Sequence, residues 1–466
     1  MYKQTFFFYD LETSGLNSRE DRIMQFAGQR TDLNLNPIGD PVNLLVKMND
    51  DTLPSPSAIA VTKITPQSTV SDGLSEAEFS RYLQEEIFIP GTISLGYNSI
   101  RFDDEFMRHL FWRNFYDPYE WQWRDGRGRW DLLDAVRMTR ALRPDGIKWP
   151  VEADGKMTNR LELITKENNI SHESAHDALS DVTALIDVTR LIKERQPQLY
   201  NYLFKMREKR EVKKLVDLKK PCPIVYTSGH YGVVHSHTTA VYPICPTKNG
   251  NVLVFDLRQN LDEILNCPDD KKADINSGYF NPETYFPVVK ELCYNKCPAV
   301  APLGVLDQNN SWEKINLSPE VVDKNLKSLL SHPEFIDKMM TIEDARPSYD
   351  TPIDPESALY ASFVPEVDRI RCNAVRNADA DGLADFHPNF TDERLPELLL
   401  HYKAKNFPTS LSADETKKWE TYRRARLERF SPTFVKEIEE LEKNHADQFI
   451  IDELKLWYES LSESDY

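Results

Sequence analysis

Apolar residues crowd the start of the chain, where the run Thr5-Phe6-Phe7-Phe8-Tyr9 leads directly into Asp10-Leu11-Glu12 and the turn-forming Thr13-Ser14-Gly15. So dense an aromatic run predicts a buried strand over residues 5–10, and residues 23–31 predict a second strand beyond a turn. A third is expected within Pro90–Ser99, ending near Gly96. Helical stretches follow at 103–115, 130–142, 160–168 and 178–192. In the last of these Ala178, Val182, Leu185, Thr189 and Ile192 recur at helical spacing. Early strands mixed with later helices predict an α/β layer fold over residues 1–195. From about residue 221 the pattern shortens to strand-like pieces such as Val252–Phe255, broken by Pro and Gly, which predicts a smaller β-rich domain within 196–350. Pro347, Pro352 and Pro355 prevent a continuous helix at the next junction, and 351–466 reads as charged and helical.

With 466 residues, the chain exceeds what one hydrophobic core organises, in keeping with these three segments. Composition is that of an ordinary globular protein, 40% hydrophobic and 28% charged. No apolar run approaches the roughly 18 residues that span a bilayer, and Phe6 to Phe8 are too few for a signal-peptide core. A cytoplasmic protein without a membrane partner is expected. The six cysteines are scattered, and Cys293 and Cys297 lack a second Cys or His pair nearby, so free thiols are expected rather than a disulfide framework or zinc site. A net charge of −18 opposes indiscriminate binding of polyanions. If the protein handles nucleic acid, its positive charge is gathered locally.

The chemistry concentrates in acids. Side chains two apart on a strand share a face, so Asp10 and Glu12 aim at a common point. Two carboxylates there repel unless a cation lies between them, and hard oxygen donors suit Mg²⁺ or Mn²⁺. Asp103 follows shortly after a buried strand, near the start of a helix, where it reads either as a metal acid or as an N-cap or first-turn acid stabilised by the helix dipole, with Asp104 as its rival for that role. Asp181 shares a helical face with apolar Ala178 and Leu185, a costly place for a carboxylate without a partner or metal. His176 would overhang the same site from near that helix start, with a pKa suited to a general base, and His172 is the alternative. Together Asp10, Glu12, Asp103, His176 and Asp181 fit phosphodiester hydrolysis with two metal ions roughly 3.5 to 4 Å apart.

The order "DLE", "NSIRFD", "HDALSD" resembles the three motifs of the DEDDh exonucleases, whose fold is ribonuclease-H-like. Further stretches, "GYNSIRFDDE", "RNFYDPY", "RWDLLD", "ALRPDGI", "NRLE", "AHDALSDV" and "HYKAKNFP", extend the resemblance over nearly the full chain to the bacterial exodeoxyribonuclease I family. Residues flanking the Asp-x-Glu pair and much of the middle segment depart from the family pattern. The resemblance implies an α/β exonuclease domain with a mixed central sheet, an SH3-like middle domain and an α-helical C-terminal domain. It implies 3′-to-5′ hydrolysis of single-stranded DNA to 5′-mononucleotides with Mg²⁺, by a monomer acting in DNA repair or recombination. It also implies contact with the cell's single-stranded-DNA-binding protein. Asp10, Glu12, Asp103 and Asp181 match the metal carboxylates, His176 the base and Arg160 a substrate contact, with Glu12 also counted at the substrate.

Residues 111–130 hold eight aromatics and four arginines, an interleaving suited to sequence-tolerant binding of single strands. Trp121, Trp123, Arg124, Arg127 and Arg129 are the expected contacts, because Gly126 and Gly128 point to a surface loop. Residues 205–220 carry eight Lys or Arg against three acids, Lys213 and Lys214 among them. "HYKAKNFP" and "TYRRARLERF" supply further basic clusters, so a basic channel shared by all three segments is expected. An RNA-trimming relative is the nearest alternative, but such chains are mostly short, and about 270 residues follow the catalytic segment here. A non-catalytic single-strand-binding protein is the other alternative, against which all five catalytic positions stand intact.

Overall fold

The computed structural model describes residues 2–172, 177–265, 288–346 and 354–463. The chain divides into two compact units. One comprises residues 1–128, 173–183 and 349–466, and the other residues 129–172 and 184–348. The C-terminal segment therefore belongs to the same unit as the first sheet.

That sheet has the order β3-β2-β1-β4-β5, with β1 at Thr5–Thr13, β2 at Ile23–Thr31, β3 at Val42–Leu45, β4 at Thr92–Gly96 and β5 at Gly128–Asp131. β1 runs antiparallel to β2 and parallel to β4, so the sheet is mixed. β1 is three residues longer than its sequence predicts. Its pairing with β2 persists through Asp10↔Ala27 and Glu12↔Gln25 and shifts register only after Glu12, so both carboxylates stand on regular strand. Gly28 allows the close approach of β2, since a Cβ there would lie 2.3 Å from the Phe7 ring and 2.9 Å from the Phe8 carbonyl oxygen. Likewise Trp130, expected in a helix, lies on β5, and the helix that follows begins at Leu133.

On one face of β1, Phe7, Tyr9 and Leu11 are buried with Phe26, Phe79 and Trp121, and with Phe106, Met107 and Phe111 of helix α1 (Asp103–Arg113). The strand alternation therefore turns Asp10 and Glu12 to the opposite face. Helix α2 (Ala178–Arg195), in which the chain passes between the units, carries Asp181 in its first turn. Two further cores join the C-terminal helices α3 (Leu395–Asn406), α4 (Ala413–Lys443) and α5 (Gln448–Glu463) to this unit. Met24, Met48 and Ile59 pack with Phe434, Ile438, Ile451 and Leu454, and Trp112 and Phe115 with Leu395, Leu398 and Tyr402.

In the other unit, five antiparallel strands take the order β10-β6-β7-β8-β9: β6 at Ile224–Thr227, β7 at Thr238–Pro246, β8 at Val252–Asp256, β9 at Val289–Leu292 and β10 at Ala299–Pro302. Val212, Ile224, Val241, Val254, Leu292 and Val300 form its core. This is the β-rich middle domain that the short apolar pieces predict.

Candidate active site

The C-terminal end of β1 brings the acids together. Oxygens of Asp10, Glu12 and Asp181 all lie within 4.8 Å of one another, the one such cluster among the described residues. Asp181 is delivered by the start of α2, which Asp177 caps: its carboxylate accepts from the Ser180 N–H at 2.9 Å, and its carbonyl from the Asp181 N–H at 3.0 Å. Asp103 opens α1 and is buried, and its charge bears directly on Asp10. Of the two helix-start roles expected for Asp103 or Asp104, N-cap or first-turn acid, the structure shows the second. Phe102 occupies the N-cap without a side-chain bond, and both acids stand in the first turn, where the helix dipole favours negative charge.

Burial and three like charges, those of Asp103, Glu12 and Asp181, raise Asp10 well above the ordinary carboxylate range. Burial, Asp181 and Asp177 push Glu12 up to about 8. These are the signs of negative charge packed without a counter-ion. Among the described residues the donors are all hard carboxylate oxygens, and so fit a hard divalent cation. Asp177, which caps α2 and whose charge bears on Glu12, is a residue that the sequence reading missed. Its signal was present, an aspartate immediately before the apolar helical pattern.

His176 lies outside the described residues. His172 is half-buried in the second unit, its Nδ1 3.2 Å from the Thr165 hydroxyl. Arg160 precedes the helix Leu161–Glu167 of that unit, exposed and paired with Glu162.

The aromatic and basic residues separate by burial. Trp121 is fully buried, tilted against Phe88 and donating through Nε1 to the Pro118 carbonyl at 3.0 Å, so it is core and not a stacking surface. Arg129 is also buried, donating to the Asn295 carbonyl at 2.8 Å. Trp123 is 63% exposed, Arg124 is exposed and paired with Glu120 at 2.7 Å, and Arg127 is half-buried. The surface-loop expectation thus holds for these three and fails for Trp121 and Arg129. In the second unit Lys213 lies over the Tyr294 ring at 5.1 Å, and Lys214 pairs with Glu211 at 2.7 Å. In the basic clusters of the last segment, Lys403, Lys405, Arg423 and Arg426 are buried against acids or carbonyl groups, whereas Arg424 and Arg429 are exposed.

A mixed sheet whose central strand gathers carboxylates from two helices defines a metal-dependent nuclease of the ribonuclease-H-like class. Residues 7–189 match the exonuclease family, 207–342 the exonuclease I SH3-like domain and 353–461 the exonuclease I C-terminal domain. The chain is 38% identical to exodeoxyribonuclease I of Haemophilus influenzae over 95% of each chain. The crystal structure of Escherichia coli exonuclease I in complex with a dA16 oligonucleotide superposes with a TM-score of 0.92, 34% identity and 99% coverage of both chains. A zinc-bound E. coli exonuclease I complex with single-stranded DNA gives the same TM-score, identity and coverage. The chain belongs to the exonuclease I family.

Proposed function

We propose that this protein removes nucleotides from the 3′ end of single-stranded DNA by metal-dependent hydrolysis, releasing 5′-mononucleotides. The observation that carries the proposal is the meeting of Asp10, Glu12 and Asp181 at one strand end, with Asp103 bearing on Asp10, in a chain of this family. Asp10, Glu12, Asp103 and Asp181 would hold two Mg²⁺ ions, with Mn²⁺ as a substitute. Such ions, when bound, supply an acidified water and neutralise charge on the phosphate. The protein's own part is to hold these carboxylates on one regular strand and two helix starts, so that little rearrangement accompanies binding. Glu12 would also face the terminal nucleotide, and His176 would take the proton from the attacking water.

Arg160, Trp123, Arg124, Arg127, Lys213 and Lys214 are the proposed strand contacts, by stacking and by phosphate pairing. The enzyme is proposed to act as a processive monomer in the cytoplasm, in DNA repair or recombination, alongside the single-stranded-DNA-binding protein. The middle and C-terminal matches, which extend well past the nuclease segment, favour DNA over the short RNA-trimming chains.

A time course on 3′- and 5′-labelled single-stranded DNA, duplex and RNA tests this, run with and without Mg²⁺. The expected result is Mg²⁺-dependent shortening of single-stranded DNA from its 3′ end. Equal rates on RNA would favour the RNA-trimming reading, and binding without shortening a non-catalytic one. Replacing His176 by alanine is expected to lower turnover by about 10²- to 10⁴-fold with little change in strand affinity. If His172→Ala has that effect instead, the base is misassigned.

A further inference from the structure

Asp10 and Asp103 come to the site from different elements, β1 and the first turn of α1. The Tyr9 side of β1 is the side on which Phe106, Met107 and Phe111 of α1 pack, whereas Asp10 faces the other way. For Asp103 to act on Asp10, the first turn of α1 must meet β1 at the level of Asp10 itself. Apolar packing of Phe106, Met107 and Phe111 against the strand holds the body of the helix. The N-cap adds no side-chain bond.

A directional contact acts at that level. The Tyr9 hydroxyl donates to Asp104 Oδ1 at 2.6 Å, a bond spanning 95 residues, and both side chains are 1% exposed. Each partner is the immediate neighbour of a metal carboxylate, Tyr9 of Asp10 and Asp104 of Asp103. The Tyr9 ring is fixed in turn by stacking on Phe26 at 6.1 Å. Asp104 also has a cation within reach. Burial pulls the Arg108 guanidinium down, but Tyr360, Glu105 and Asp104 together raise it.

We propose that Tyr9 and Asp104 are positioning residues of the metal centre: their buried bond locks the start of α1 to β1 and thereby sets the spacing between Asp10 and Asp103. The inference rests on the reading of these acids as metal ligands. Neither residue touches the substrate or the cation. Both act through their neighbours, as outer-shell partners of metal ligands do.

The test uses the full-length chain and Mn²⁺ binding measured by calorimetry without DNA, alongside the Mg²⁺ dependence of turnover. Tyr9→Phe keeps the ring and deletes the donor, and Asp104→Ala deletes the acceptor. Each is expected to weaken Mn²⁺ binding by about 10- to 100-fold and to raise the Mg²⁺ needed for half-maximal rate to match. Metal-free binding of single-stranded DNA should be unchanged. Asp104→Asn retains an acceptor oxygen and should restore Mn²⁺ binding to near that of the unmodified chain. The double variant Tyr9→Phe/Asp104→Ala should be no weaker than the worse single one, as for two ends of one bond. Wild-type Mn²⁺ affinity in folded Tyr9→Phe, or effects that simply add in the double variant, would overturn the proposal. Asp10→Asn serves as the control: unchanged Mn²⁺ binding there would overturn the metal-centre reading itself, and this proposal with it.

Discussion

Replacing Asp10 or Asp181 by alanine is expected to lower turnover by more than about 10⁴-fold, beyond the cost of losing a general base. Asp10 sits within reach of three other carboxylates, whose charges all act on it. Removing it would take away one of the proposed metal ligands, and the acidified water that a cation there would supply. Strand binding, which the proposed aromatic and basic contacts would supply, should persist in anisotropy measurements with chelator present. Turnover near that of the unmodified chain in either variant would refute the metal assignment.

The same charges predict how the metal-free protein responds to pH. Glu12, pushed up to about 8, and Asp10, also raised, keep protons in the folded chain that the unfolded chain releases near pH 4. The folded state therefore binds more protons across this window, and stability falls as pH rises from about 4.3 through about 8. Thermal melts in chelator should show that fall. Saturating Mg²⁺ should flatten it by binding the ionised carboxylates, and Asp10→Asn should flatten it in part. A slope unaffected by Mg²⁺ would mean that the cation binds elsewhere.

What could be read from the chain follows from the range over which each feature is determined. Asp10 and Glu12 were legible because strand alternation alone puts residues two apart on one face. Asp181 was legible because a carboxylate on an apolar helical stripe demands a partner. Both inferences are local, and the structure places all three oxygens together. The Tyr9–Asp104 bond was not legible, since it joins residues 95 apart and nothing in either neighbourhood names the other. Nor could composition distinguish Trp121 from Trp123, two residues apart, of which one is core and the other surface. The basic clusters misled for a related reason. A lysine or arginine run announces charge, but whether that charge faces water or a buried acid depends on segments far away. "HYKAKNFP" and "TYRRARLERF" turn much of their charge inward, against acids from the first hundred residues and from their own segment.

That internal charge makes Glu356 the most consequential residue for stability outside the metal cluster. Its carboxylate meets Arg22 at 2.6 Å, Lys405 at 2.5 Å and His401 at 3.0 Å, and Asp51 adjoins the same group through Lys405 at 2.9 Å and Arg426 at 3.5 Å. Glu356, Arg22, Lys405 and Asp51 are all buried. Glu356→Ala leaves Arg22 and Lys405 to share the single carboxylate of Asp51, and breaking a buried pair from one side costs about 3 to 5 kcal/mol. The urea midpoint should drop accordingly with an unchanged slope. Burial alone would raise Glu356, but Lys405 and Arg22 outweigh it and hold the carboxyl well below its ordinary value. The folded state thus binds fewer protons than the unfolded chain, so the contribution is complete above about pH 4.3 and is lost as pH falls toward the folded value. Isosteric Glu356→Gln should therefore lie well below the unmodified chain in stability at neutral pH, with the gap narrowing as the solution is acidified below that point. A gap that stays constant with pH would show that packing, not charge, is what Glu356 supplies. The effect should also reach the active site: the Arg22 N–H donates to the Ser14 hydroxyl at 2.9 Å and its carbonyl accepts from the Ser14 N–H at 2.9 Å, two residues beyond Glu12. A C-terminal acid would thereby steady the strand end that carries Asp10 and Glu12, in addition to the apolar cores that join the C-terminal helices to the same unit.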